Sequence, residues 1–448
     1  MMSLSNTAEG FKSTEVGVIP EDWDVVALHE VCSFGGGTTP PRSQHQRYFV
    51  GGTHNWIKTT DLNNSCVDIS EEQITDLALS ERGLKKHPIG TVLVAMYGGF
   101  NQIGRTGCIT KPSAINQALV AVKPKPYKLN SYYLLSELNY NVEYWKGVAS
   151  SSRKDPNITS SDVKNYKIAL PSFNEQSAIA DALLDIDSLI TELEKLIAKK
   201  QAIKTASMQQ LLTGKKRLPE FALHTEGEKK GQPKGMKLSE LGEIPVGWDV
   251  VEFGNCIRTV IDNRGKTPPL TVDGLPMLEV NAVFKQGKSP NLAKVTKYVS
   301  QSTYDNWFRG GHPKQGDILV VTVGSAGETS YVDKEGYCIA QNLISLRLNQ
   351  NVDSAFVYYV TTFTTFKKQV EAVLMGAVQP SLKVPHLKKF KTLIPTVKEE
   401  QTAIATILSD MDNEIQSLEK RLEKARQIKK GMMQELLTGR TRLPFKKD

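Results

Sequence analysis

QSAIADALLDIDSLITELEKLIAKKQAIKTASMQQLLTGKKRLP, from Gln176 to Pro219, is nearly repeated as QTAIATILSDMDNEIQSLEKRLEKARQIKKGMMQELLTGRTRLP, from Gln401 to Pro444. Aligned without a gap, so that Gln401 answers to Gln176 and Pro444 to Pro219, 23 of 44 positions are identical. The shift equals about half of the chain, which is therefore a tandem duplication, and each copy ends in this element. Apolar residues step by four and three through Ile179, Leu183, Ile186, Ile190, Leu193 and Ile197. The second copy steps alike through Ile404, Leu408, Met411, Ile415, Leu418, Leu422, Ala425, Met432 and Leu436. This is the seam of a coiled coil, flanked by Glu and Lys. No Pro or Gly interrupts Ala178 to Thr213, so the spacing predicts a helix of roughly 55 Å at about 1.5 Å per residue. One such helix cannot bury its seam alone. Its own duplicate is the expected partner, and a pseudo-twofold would set the pair antiparallel; homodimerisation through a remaining face stays open.

Working outward, IPEDWDVV and IPVGWDVV open the two halves, and under the same shift Pro20 and Trp23 fall on Pro245 and Trp248. The tryptophans read as core anchors at the entry strand of a domain. Between entry and helix, each half carries a long stretch of short apolar runs and Gly-rich turns. That pattern predicts a β-rich domain. The expected fold is α+β: two β-rich domains joined by two long antiparallel coiled-coil helices. Boundaries are drawn at 12–171 for the first domain, 172–213 for its helix, 214–238 for a Gly-, Pro- and Lys-rich linker, 239–395 for the second domain, 396–438 for its helix and 439–448 for a tail. The helices repeat closely, while the β-rich parts differ over most of their length.

Forty per cent apolar and 23% charged residues are the proportions of a globular protein. No run of eighteen apolar residues and no basic-then-apolar leader is present, so neither a membrane span nor a signal peptide is expected. Cytoplasmic localisation is the expectation. Five scattered cysteines without CxxC spacing argue against a disulfide framework or a zinc site. The net charge of +8 permits nucleic-acid binding without establishing it.

Catalytic motifs fail one by one. The Asn/Asp-Pro-Pro-aromatic motif of a DNA amino-methyltransferase is absent. Gly324 to Thr329 lacks the lysine of a phosphate loop. No HExxH pair occurs, and no catalytic residue and no metal site are assigned. What remains is polar loops on two unlike domains. Arg, Lys, Asn, Gln and Thr are the residue types that read base edges, with lysines and hydroxyls at the rim for phosphates. The candidates in the first half are Thr38, Arg42, Lys58, Thr59, Tyr97, Asn101, Gln102 and Arg105. In the second half they are Arg264, Lys266, Thr267, Asn281, Thr322, Ser325 and Gln379. All sit in Gly- or Pro-flanked polar turns, where a scaffold aims side chains outward.

The paired helices with their QQLLTGKKRLP and QELLTGRTRLP endings, the starts LPSFNEQSAIA and IPTVKEEQTAIA, the two WDVV entries, and WIKTTDLNN at Trp56 to Asn64 together resemble the specificity subunit of type I restriction-modification systems. The resemblance spans essentially the whole chain. It implies two target-recognition domains, each reading one half of a bipartite double-stranded DNA target for adenine methylation, with no catalysis in the chain itself. It further implies docking of two modification subunits and, through them, restriction subunits. S-adenosylmethionine, ATP and Mg are expected in those partners, and no cofactor in this chain. The rival reading is a non-catalytic coiled-coil adaptor whose two domains bind something other than DNA.

Overall fold

A computed structural model describes residues 9–99, 101–150, 157–265, 267–375 and 380–444. The chain divides into two compact units. The first combines the residues up to Glu194 with those from Arg421 onward, and the second is Lys195–Lys420. Each unit therefore holds one β-rich domain, the first part of one long helix and the last part of the other.

The long helices are α1 (Phe173–Leu211) and α2 (Lys398–Leu436), 39 residues each. The heptad residues face inward: Ile179, Leu183, Leu193 and Ile197 are buried on α1, and Ile404, Leu408, Ile415, Leu418, Ala425 and Leu436 on α2. Ion pairs give the direction of pairing. In the first unit Asp187 meets Lys429 at 2.6 Å and Glu194 meets Arg426 at 2.7 Å. In the second, Lys200 meets Glu414 at 2.6 Å, and Lys204 meets Asp412. As one number rises the other falls, so the packing is antiparallel in both units.

The first unit is built on a five-stranded sheet of β1 (Cys32–Gly36), β2 (Ser65–Val67), β3 (Val92–Ala95), β4 (Thr106–Ile109) and β5 (Leu119–Pro124), in the order β1-β5-β3-β4-β2. All pairs are antiparallel except β2 with β4, where Cys66 stands opposite Cys108. Successive strand residues point to opposite faces. Val92, Val94, Val120 and Val122 join the core that contains Trp23, helix Ser131–Tyr140 and the start of α1. Leu93, Ala95, Leu119 and Ala121 join a second core with Ile57, Leu62 and Ile115. Both faces are covered, which is why these strands read as continuous apolar runs. Burying each such side chain stabilises the fold by about 1.5–3 kcal/mol.

The second unit repeats the plan with four strands: β6 (Ile257–Asp262), β7 (Ile318–Val321), β8 (Thr329–Tyr331) and β9 (Leu343–Leu348), in the order β6-β9-β7-β8. Ile318, Val320, Ile344 and Leu346 face the core with Trp248 and the start of α2. Leu319, Val321 and Leu343 face a smaller core with Ile261 and Leu278. The linker stretch, which belongs to the second unit, is more structured than its composition suggested, with a short helix Pro219–Ala222 and, at its end, a hairpin of Met236–Ser239 with Gly242–Pro245.

One clamp fastens each β domain to its helix, and it is the same clamp twice. Trp23 and Trp248, both fully buried, donate their indole N–H to Glu175 and Glu400 at 3.2 and 3.1 Å. Arg442 and Arg217 close on those carboxylates from the RLP segments. The next residues, Gln176 and Gln401, donate to Pro171 O and Pro395 O, each at 2.9 Å. Their own amide oxygens accept from Asn130 N and Asp353 N, the residues that cap the next helix in. The Leu-Leu-Thr-Gly ending has a steric reason: Gly214 and Gly439 have φ near +67° and +68°, and a Cβ would strike Pro245 Cγ and Pro20 Cγ at 2.3 and 2.4 Å. Glycine is the residue that fits.

Candidate nucleic-acid interface

The candidate residues of the first unit fall into two groups on loops beyond the second core. The first gathers around Trp56. Its buried ring donates its N–H to Thr38 O at 3.1 Å, and the Arg42 guanidinium lies 5.3 Å from its centroid and 4.6 Å from that of Phe49. Arg42 forks onto Glu72, and Lys58 reaches the same carboxylate at 2.7 Å and Glu71 at 3.1 Å. These charges are held. Hydrogen bonds from Arg42 keep the Glu72 carboxyl down at about 2, against the opposing effect of burial. Thr59 is buried, whereas Thr38 keeps an exposed side chain.

The second group rides the turn between β3 and β4. Tyr97 and Asn101 are exposed, Gln102 and Arg105 half-buried. Arg105 donates from Nε to Asn101 O at 2.8 Å and makes no ion pair among the described residues. The Asn116–Gln117 turn stands between the two groups. Asn116 N donates to Ile57 O and Met96 N to Ala118 O, while the Thr39 hydroxyl bonds Gln117. The structure thus places the eight candidates on loops either side of this turn: Thr38, Arg42, Tyr97 and Asn101 are exposed, Lys58, Gln102 and Arg105 half-buried, and Thr59 is turned in.

In the second unit the picture is more dispersed. Arg264 is exposed and chelated by Asp262, whose hydrogen bonds raise the arginine pKa. Thr267 is exposed beside it. Gln341 Nε2 donates to Gly265 O at 2.6 Å, the counterpart of the Thr39–Gln117 contact. Asn281 is exposed but spends its amide N–H on Lys294 O at 2.8 Å. Ser325 is half-buried in the turn between β7 and β8. Thr322 is 1% exposed, and both its N–H and its hydroxyl go to Asn342 O. It props the turn from inside and presents nothing to a ligand. Lys266 and Gln379 lie outside the described residues.

Sequence reading passed over the carboxylates that hold these cations. Glu72 is far from Arg42 along the chain, with no local pattern linking them. Asp262, two residues before Arg264, was within reach of inspection. Among the described residues no cluster of three or more His, Cys, Asp or Glu could hold a metal ion. No helix among them is long and apolar enough to cross a membrane.

Comparison with known proteins decides the family. The model of the type I restriction modification DNA specificity domain matches residues 20–205 and 290–427, well over half of the chain. This chain belongs to that family. The specificity subunit is the DNA-recognition, non-catalytic component of a type I restriction-modification system. The chain is similar to two type I restriction enzyme specificity subunits of Methanocaldococcus jannaschii. MjaX, itself a provisional assignment, is 28% identical, with 97% of each chain covered. MjaVIII is 24% identical, covering 97% of this chain and 96% of the relative. In fold it is similar to the crystal structure of the type I restriction-modification S subunit from M. genitalium. The TM-score is 0.61 at 15% identity, covering 92% of this chain and 96% of the other.

Proposed function

We propose that this specificity subunit reads a bipartite duplex DNA target, one half through each β-rich domain, and docks two modification subunits that carry the methyl-transfer chemistry and link to restriction subunits. The observation that carries the proposal is the pairing of like clamps with unlike loops. Trp23–Glu175–Arg442 and Trp248–Glu400–Arg217 are the same device, once in each half of the duplication. The loops they support differ: Arg42 and Lys58 on Glu72 in one, Arg264 on Asp262 in the other. A duplicated holder with diverged loops suits two sequence readers on one frame. In the first unit, Thr38, Tyr97, Asn101, Gln102 and Arg105 are the proposed outward contacts, with Arg42 and Lys58 at the rim, held by Glu72 and Glu71. In the second, Arg264, Thr267 and Ser325 take that part.

Methylation mapping tests this. DNA from cells carrying the chain with its modification subunit should show one split motif. Replacing Trp23 to Pro171 by the corresponding domain of another specificity subunit should change one half of that motif. A swap that alters both halves, or a motif without a gap, would sink the proposal.

A further inference from the structure

Of the five tryptophans, Trp23, Trp56, Trp145 and Trp248 are at most 1% exposed, and Trp307 is 40% exposed. Trp307 ends the helix Gln301–Trp307. Its neighbour Phe308 is buried with Met277, Val299 and Cys338, which roots the segment while Trp307 and Arg309 project on either side. Together with Asn306, and with Asn263 and Arg264 from the end of β6, they line one open cleft of about 480 Å³. The two loops are pressed together: a Cβ on Gly310 would lie 2.8 Å from Asn263 Oδ1 and 3.0 Å from Asp262 O. Asn263 also donates from Nδ2 to Gly311 O at 3.2 Å. The one carboxylate in the cleft, Asp262, is engaged by Arg264. Arg309 is exposed and has no ion-pair partner among the described residues, so the cleft carries an uncompensated positive charge beside a bare indole.

We propose that this cleft is where the second domain grips duplex DNA, with Arg309 on a backbone phosphate, Trp307 packed on sugar or a thymine methyl, and Asn306 toward base edges, while Asn263, tied to Gly311 O, and Arg264, held by Asp262, shape the cleft wall. Charge selects a polyanion, and a rigid aromatic flanked by amides suits nucleotides, whose bases offer both apolar and hydrogen-bonding edges. The first domain has no equivalent. Under the shift that superposes the two helices, Asn263, Arg264, Asn306, Trp307 and Arg309 fall on Thr38, Thr39, Glu81, Arg82 and Leu84. Glu81 is taken by Arg47 and Tyr48. The cleft should therefore serve one half of the target only.

This inference rests on the DNA-recognition reading and deepens it. The test uses the full chain assembled with its modification subunit, and duplexes carrying the mapped target with either half intact or scrambled. Trp307→Ala and Arg309→Ala should each weaken binding to the intact target about tenfold. They should have little effect once the half read by the second domain is scrambled. Arg309→Ala should also make the salt dependence shallower by about one. In the unaltered protein, saturating target duplex should shield Trp307 from iodide quenching. Variants that melt like the parent and keep its affinity, selectivity and salt slope, with Trp307 unshielded, overturn the proposal while the DNA reading stands. So does a poly-glutamate peptide that shields Trp307 where the target duplex does not. An unaltered complex with no preference for target over scrambled duplex takes the DNA reading down with it.

Discussion

Arg217 forks onto Glu400, with Nε to Oε1 at 2.9 Å, and buries it: the side chains are 9% and 0% exposed. The Trp248 indole shares the same oxygen at 3.1 Å. A desolvated carboxylate is tolerable only while its cation and donors remain in place. Arg217→Met should therefore cost about 3–5 kcal/mol, because it strands a buried charge. Glu400→Gln, which keeps an acceptor for the indole, should cost less. The equivalent Arg442 is 36% exposed and also binds Asp22 at 2.9–3.0 Å. Water can partly replace it, so Arg442→Met should be milder. Urea unfolding of the full chain and the three variants checks the order; equal losses at Arg217 and Arg442 would contradict it.

Glu137 lies within the helix Ser131–Tyr140, buried, with Oε2 unpartnered among the described residues and Oε1 accepting from Asn141 at 3.1 Å. Burial raises its carboxyl to about 8, and the Asn141 bond opposes that only in part. A folded-state pKa above the unfolded value near 4.5 means the folded state holds the proton more tightly. The group's favourable contribution is present at low pH and is lost as pH rises toward and through about 8. Glu137→Gln removes the ionisation and keeps the shape. Melting temperatures of both proteins, followed from mildly acidic to mildly basic pH, should diverge as pH rises, with the glutamine variant gaining. A constant difference across the range would show that Glu137 is not the group responsible.

The helices were legible because their seam is local. Ile179, Leu183, Leu193 and Ile197 announce a buried stripe within a few helical turns, and the gapless repeat at Ile404, Leu408, Leu418 and Leu422 announces its partner. The clamp was visible as repeated letters, Glu175-Gln176 and Glu400-Gln401, but its work was not. Trp23 and Glu175 stand at opposite ends of the first domain's sequence, and only the folded chain joins them. The same limit governs the loops. A polar turn marks where side chains can point outward, so Tyr97 and Asn101 were readable as exposed. Whether a cation is already engaged depends on distant partners such as Glu72 for Arg42. Thr322 failed for a related reason: its hydroxyl bonds Asn342 O across the sheet, a tertiary contact no turn pattern encodes.

Arg105 and Arg264 are differently prepared for DNA. Among the described residues the Arg105 side chain binds Asn101 O alone, through Nε, so its terminal nitrogens can form the fork that reads guanine. Arg264 is already chelated by Asp262. Arg105→Ala should lower discrimination at one base pair of the first half-site by about 1–3 kcal/mol. Arg264→Ala should act mainly by releasing Asp262, adding an unpaired negative charge that weakens all sequences alike. Asp262→Asn should restore part of that loss in the double variant. Binding to the target and to single-base variants at two salt concentrations separates these outcomes. Uniform loss for Arg105→Ala would mark it as a phosphate contact instead.

Leu193 on α1 and Leu418 on α2 are repeat equivalents on the seam, both buried. Four residues inserted after each lengthen both helices by about 6 Å, with a net rotation of roughly 40°. Insertion in both keeps the two seams matched, where insertion after Leu193 alone would break pairing beyond it. Four is also a spacing a heptad seam absorbs as a local unwinding. If the helices set the unread gap between half-sites, the double insertion should change the gap in the methylated motif and leave both half-site sequences as they were. The single insertion should do the same or abolish methylation. Methylation mapping of the three proteins reads this directly. An unchanged gap with unchanged methylation in the double insertion would mean that the spacing is set elsewhere than by α1 and α2.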